Sequence, residues 1–290
     1  ERAAAMCDVS YPLSPFPPFQ NTNASLVCVL GFSAAQAYLK YSKKEVCNYA
    51  DNLHHPDRAS GARSAVYAGA GLVSVATDPV NRHALHARLP EAMILDATAP
   101  ELETAVRQAT VIVVGPGLGT DGTALTILKT VFAAVNAKQV MIIDGSAITL
   151  VASHHLDYPQ AQLIWTPHQI EWQRLSGLPL AAQTIEASQK AAAEIPGIIV
   201  AKSSHTHVFV DEDVYENTAG GPAMATGGSG DTLTGIIAAF AGQFQPLDKA
   251  ALAAVFVHSR VADIVAMNSY VALPTMVIRE LPTYLKQLSE

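Results

Sequence analysis

From about residue 64 onward, strand-length runs nearly continuous in valine, isoleucine and leucine alternate with longer helical segments. Residues 71–76, 110–114, 139–143, 162–165, 197–202 and 206–210 form such runs. A strand wetted on one side alternates apolar and polar residues, so an unbroken apolar run is expected where both faces are covered. Helical segments at 121–137, 147–154 and 181–194 lie between them. Two long apolar helices follow Gly230, one through 241 and one from 247 to about 267. This order of elements predicts an α/β fold, a three-layer α/β/α sandwich with a mainly parallel central sheet.

Residues 1–60 read differently. A proline-rich stretch at 11–18 is loop-like, because proline removes amide donors and fixes φ. Residues 25–31 suit a buried strand, 32–41 a short helix, and 51–61 are polar again. The chain thus divides into an atypical N-terminal segment, 1–60, and a regular α/β region, 61–290, within one domain overall.

Composition narrows the partners. Half of the 290 residues are hydrophobic and 15% are charged, with a formal net charge of -7. No basic stripe is present, which argues against a nucleic-acid surface and for a small-molecule partner. Cys7, Cys28 and Cys47 lack the spacing of a zinc site, and their odd number suits a reducing compartment. No apolar run is long enough for a bilayer, and no secretory leader is recognisable. The expectation is a cytoplasmic protein without membrane partners.

Ligands in such folds bind where strands end at their carboxyl edge, so the loops after the strands are the ones to read. In the string 225–235, glycines precede Asp231, and an apolar helix starts at Ser229 or Asp231. Glycine lets backbone approach a ligand, and a helix N-terminus attracts phosphate. A carboxylate there suits proton removal from a hydroxyl that receives phosphate. The alternative is a glycine turn with Asp231 as helix cap. Residues 115–119, Gly-Pro-Gly-Leu-Gly, offer a similar strand-to-helix turn, with or without a ligand. Pro167 ends a strand, with Thr166 placed to cap the next helix and His168 placed at the sheet edge. Lys202 at a strand end, followed by Ser203, Ser204, His205 and Thr206, suits an anion or an exposed turn. Asp144 can hold a metal or water, or cap the helix after it.

Taken together and in this order, these pieces resemble the ADP-dependent NAD(P)H-hydrate dehydratases, which have the ribokinase-like fold. The matching segments are 69–73, 89–93, 115–119, 166–168, 202–206 and 225–235. The resemblance implies that Asp231 is catalytic and touches the hydrated nicotinamide, with Gly117 and His168 as further substrate contacts. It implies that Lys202, Ser203, Ser204, His205, Thr206 and Gly230 line an adenine nucleotide. Thr226, Gly227, Gly228 and Ser229 would form the phosphate loop. The implied co-substrate is ADP or ATP with Mg2+, held without a dedicated protein metal site. The implied assembly is a homotetramer. The chain departs from the family at Ser203, where glycine is usual, and before residue 65, where a Ser/Thr-His-Lys-Gly segment is usual. Two other readings share the motifs. One is a ribokinase-like kinase of a sugar or a hydroxymethyl-pyrimidine or -thiazole alcohol. The other is a nucleotide-binding protein without catalysis.

Overall fold

The computed structural model describes residues 25–29 and 59–289. Among them, nine strands form one sheet: β1 (Ser25–Val29), β2 (Leu72–Thr77), β3 (Met93–Asp96), β4 (Val111–Val114), β5 (Val140–Ile143), β6 (Gln162–Trp165), β7 (Ile198–Ala201), β8 (His207–Val210) and β9 (Asp213–Glu216). Their order is β3-β2-β1-β4-β5-β6-β7-β8-β9. Every pair from β3 to β7 is parallel, and β7-β8-β9 closes one edge as an antiparallel meander. β1 lies inside the sheet, paired with β2 on one side and β4 on the other.

Helices cover both faces: α1 (Ser60–Tyr67), α2 (Arg82–Arg88), α3 (Glu101–Gln108), α4 (Gly122–Ala134), α5 (Gly145–His154), α6 (Gln169–Ser176), α7 (Ile185–Ala192), α8 (Ser229–Gln243), α9 (Leu247–Ala266) and α10 (Pro274–Leu288). Successive strand residues point to opposite faces. Ile142 and Ile164 therefore join one core with Ile236, Val257 and Leu281 from α8, α9 and α10. Ile143 and Trp165 join a second core with Leu128, Ile148 and Trp172 from α4, α5 and α6. Two cores sharing one sheet explain why the strand runs carry no polar alternation. The mainly parallel three-layer sandwich expected from the sequence is the one found.

The expected strands and helices fall within a few residues of those observed. The segment 181–194 divides into a short 3-10 turn, Leu180–Ala182, and α7, because Thr184 adopts extended backbone and caps the new helix through Ala187 N. Helix α1 already begins at Ser60, inside the stretch read as polar. The helix expected over 32–41, the proline-rich stretch 11–18, and most of the N-terminal segment lie outside the described residues.

Candidate active site

The carboxyl edge of β4 to β7 is held together by one acidic side chain. Asp144 follows β5 directly and starts α5 as its N-cap, accepting from Gly145 N at 2.9 Å. Its Oδ1 also meets Lys202 Nζ at 2.6 Å, and its Oδ2 accepts from Thr234 Oγ1 of α8 at 2.7 Å. The β4 loop presses on it from the other side: a Cβ on Gly115 would stand 1.7 Å from the Asp144 carbonyl oxygen. Only glycine permits that approach, and its φ of +121° is one other residues avoid. Asp144 thus serves as helix cap and ion-pair partner at once. Among the described residues no group of three His, Cys, Asp or Glu side chains is placed to hold a metal.

Lys202 extends past the end of β7. Its amide donates to Pro167 O, which brings residues 166–168 alongside it in a parallel bridge with His168. Its side chain is largely buried, and Gly230 lies against its tip: a Cβ there would come within 3.4 Å of Nζ. Burial works against the ammonium charge, but Asp144, Glu171 and Asp231 outweigh it, and the pKa is raised. Lys202 stays a cation inside a ring of carboxylates.

His168, not Thr166, caps α6. Its Nδ1 accepts from the amides of Ile170 and Glu171, and Glu171 Oε2 accepts from the His168 amide, which closes a capping box. With Nδ1 accepting, the ring proton sits on Nε2, 3.2 Å from Glu171 Oε1. Burial first, and the nearby Lys202 charge second, lower the His168 pKa. Burial raises that of Glu171. The sequence pairs Thr166 with the helix because threonine is a common cap. In the structure Thr166 directly follows β6, fully buried, and its hydroxyl meets no partner.

Helix α8 begins differently. Its N-cap is Gly228, in left-handed backbone at φ +86°, with no side chain to accept from the first turn. Asp231 therefore does not cap the helix; it stands in the first turn, in the third helical position, and its backbone oxygen touches the start of α1 near Gly61. Ahead of the helix, a Cβ on Gly227 would meet nothing within 4 Å, and the hydroxyl of Thr226 is buried without a partner.

The structure brings Gly115, Asp144, Pro167, His168, Lys202, Gly230 and Thr234 into one connected cluster, with Asp231 next in line. Gly117 sits on the same loop as Gly115, held by Leu118 N donating to Gly115 O. Ser203, Ser204 and His205 form an exposed turn, closed by the His205 amide donating to Ser203 Oγ. Thr206 is buried, and its carbonyl accepts from Asn217 N. Sequence reasoning passed over Glu171 and Thr234. Glu171 was findable as the residue three beyond His168, the spacing of a capping box. Thr234 lies inside the quoted string 225–235 but finds its partner 90 positions away.

Residues 60–283 match the model of the NAD(P)H-hydrate dehydratase family. A protein of Lactiplantibacillus plantarum named ADP-dependent (S)-NAD(P)H-hydrate dehydratase is 46% identical over 230 residues, 79% of this chain and 83% of that protein. One of the same name from Enterococcus faecalis is 47% identical, covering 78% of each. Among solved structures, a ribokinase-like superfamily protein of Enterococcus faecalis superposes with a TM-score of 0.82 at 40% identity, covering 91% of this chain and 87% of that one. The Bacillus subtilis ADP/ATP-dependent NAD(P)H-hydrate dehydratase, co-crystallised with ATP/Mg2+ and soaked with CoA, shares the fold, with a TM-score of 0.74 at 22% identity over 94% of each chain.

Proposed function

The chain belongs to the NAD(P)H-hydrate dehydratase family, and on that premise we propose that it returns (S)-NAD(P)H hydrate to NAD(P)H, converting ADP to AMP and phosphate. The observation that carries the reading is the start of α8: a side-chain-free glycine cap, followed in the first turn by Asp231 beside the Lys202 ammonium. Amides at a helix start and a fixed cation suit a polyphosphate, and a carboxylate among them suits a base.

In this reading Asp231 takes the proton of the substrate 6-hydroxyl as its oxygen attacks the terminal phosphorus of ADP. AMP departs. The C6–O bond then breaks, phosphate leaves with the bonding pair, the C5 proton passes to the departing phosphate, and the ring double bond returns. Hydroxide is a poor leaving group and phosphate a good one, which is why the nucleotide is consumed. Asp231 thus acts as general base, positioned by α8.

The residues present fit an adenine nucleotide. Lys202 and the Thr226 hydroxyl lie at the loop, and Gly227 leaves room for a ligand against the backbone. Ser203, Ser204, His205 and Thr206 would line the nucleotide, with Gly230 at its phosphates and Gly228 and Ser229 completing the phosphate loop. Mg2+ would supply charge neutralisation while held chiefly by the phosphates, as suits an ion that keeps few protein ligands. Gly117 and His168 would bound the substrate pocket. Both His168 nitrogens are engaged, so it would meet the substrate through its half-exposed ring and not as a base. A homotetramer is the assembly that goes with this reading. Among the described residues no helix is long and apolar enough to cross a membrane.

The test adds NADH hydrate, ADP and Mg2+ to the protein and follows return of the NADH absorbance, with AMP and phosphate assayed at the end. Recovery in step with AMP formation is expected. A stable phosphorylated product without NADH would establish a kinase instead, and no turnover with intact ADP binding would establish a binding protein.

A further inference from the structure

Three carboxylates, those of Asp144, Glu171 and Asp231, act on one ammonium, Lys202. Which of them holds it decides what the others can do. An amine resting on Asp231 would stabilise that carboxylate as an anion and weaken it as a base. The geometry gives Lys202 to Asp144: Nζ donates to Asp144 Oδ1 at 2.6 Å.

Asp144 is built to keep it there. Its backbone is pinned between Gly115 and the start of α5, with its amide donating to Val114 O. Its carboxylate receives Gly145 N on Oδ1 and the Thr234 hydroxyl on Oδ2, so it cannot turn away from the lysine. Thr234 is on the same helix as Asp231 and fully buried, so the contact that orients Asp144 also fixes α8 relative to the lysine. We propose that Asp144 is a positioning residue for the reaction: it keeps the Lys202 ammonium on the floor of the site and off the carboxylate of Asp231. The inference rests on Asp231 being the base, as read above.

The charged and titratable groups facing Lys202 are Asp144 at the end of β5, His168, Glu171 and Arg174 from α6, and Asp231 from α8. Arg174 is turned outward, donating to Thr149 Oγ1. Once Asp144 can no longer hold it, Lys202 can shift toward Asp231, whose charge already acts on it.

The experiment measures kcat/KM for NADH hydrate against pH, at saturating ADP and Mg2+, in the full chain and in Asp144→Asn, Lys202→Met and the double variant. The acid limb of this profile reports the essential base of the free enzyme. With Asp144→Asn the lysine shifts to Asp231, and the limb moves to lower pH by about one unit or more. With Lys202→Met the limb moves to higher pH. In the double variant the limb stays where Lys202→Met puts it, because Asp144 acts only through the lysine. An unmoved limb in Asp144→Asn overturns the proposal. So does an equal displacement when Asp144→Asn is added to Lys202→Met, since that is a direct effect of the Asp144 charge. Asp144→Asn leaves a buried lysine without its partner and can fail to fold. The double variant keeps neither charge, and its comparison with Lys202→Met then decides. Failure of the underlying reading looks different: the unmodified chain recovers no NADH, or Asp231→Asn keeps its rate, and either result overturns both.

Discussion

Two helix starts at the same sheet edge are built in opposite ways. Helix α6 is closed: the His168 ring accepts from two first-turn amides, and Glu171 reaches back to the His168 amide. Helix α8 opens on Gly228, which brings no side chain to its first turn. Every helix N-terminus carries amides without helical partners and an excess of positive charge. α6 meets that need with its own residues. At α8 the cap is left plain, the loop before it is glycine-rich, and a carboxylate occupies the first turn. The difference teaches that a helix start becomes a ligand site by what it omits.

The largest expected effect separates the two starts by chemistry. Asp231→Asn keeps the shape of the side chain and the packing of α8. It removes the base, so turnover should fall by about a hundred- to ten-thousand-fold. ADP binding, read by calorimetry or by the ligand-dependent rise in melting temperature, should persist. A variant that melts normally and keeps more than about a tenth of the rate would show that Asp231 is not the base.

The next effect tests whether the open cap serves the ligand. Gly228→Ala forces a side chain into left-handed backbone, at a cost of about 1–2 kcal/mol. Melting should drop by about 2–8 °C. If the phosphates need that backbone shape, ADP should also bind about tenfold more weakly, which equals about 1.4 kcal/mol. A lower melting temperature with an undiminished ADP-dependent rise would mean that the glycine serves the chain turn alone.

Much of this contrast was legible in the sequence, and its limits have physical causes. The strands covered on both faces announced themselves, because β4 and β5 are apolar throughout and β6 is apolar after Gln162. β3 and β9 did not. Each has four residues and lies at a sheet edge, half-exposed, so neither burial nor alternation marks it. The open start of α8 was readable because glycines must be written into the chain. The closed start of α6 was misread, with Thr166 as its cap. An imidazole accepting through Nδ1 can cap as a hydroxyl does, but only the backbone path after Pro167 decides which residue stands at the cap. Asp144 appeared as a cap or a ligand holder. Its ion pair with a residue 58 positions away depends on strand order, which no local pattern contains.

The smallest effect is one of pH, and it acts on α6 alone. The His168 pKa is lowered in the folded protein, chiefly by burial and then by Lys202. The unfolded chain therefore takes up a proton first as pH falls, so stability from this residue is present above the ordinary imidazole value and lost below it. Protonation also fills Nδ1, the atom that accepts the Ile170 and Glu171 amides, so the cap opens as the proton binds. Half-exposure of the ring keeps the effect modest. His168→Asn supplies a cap of similar quality that does not titrate. Between about pH 7.5 and 5.5, which brackets the imidazole value, the melting temperature of the unmodified chain should fall more steeply than that of His168→Asn. The raised pKa of Glu171 works in the opposite sense, because its folded form keeps a proton more readily. Glu171 is present in both proteins, so the comparison with His168→Asn separates the histidine from it. Parallel melting curves for the two proteins would show that the ring does not cap α6 through a neutral nitrogen. Helix α6 would then stand as open as α8.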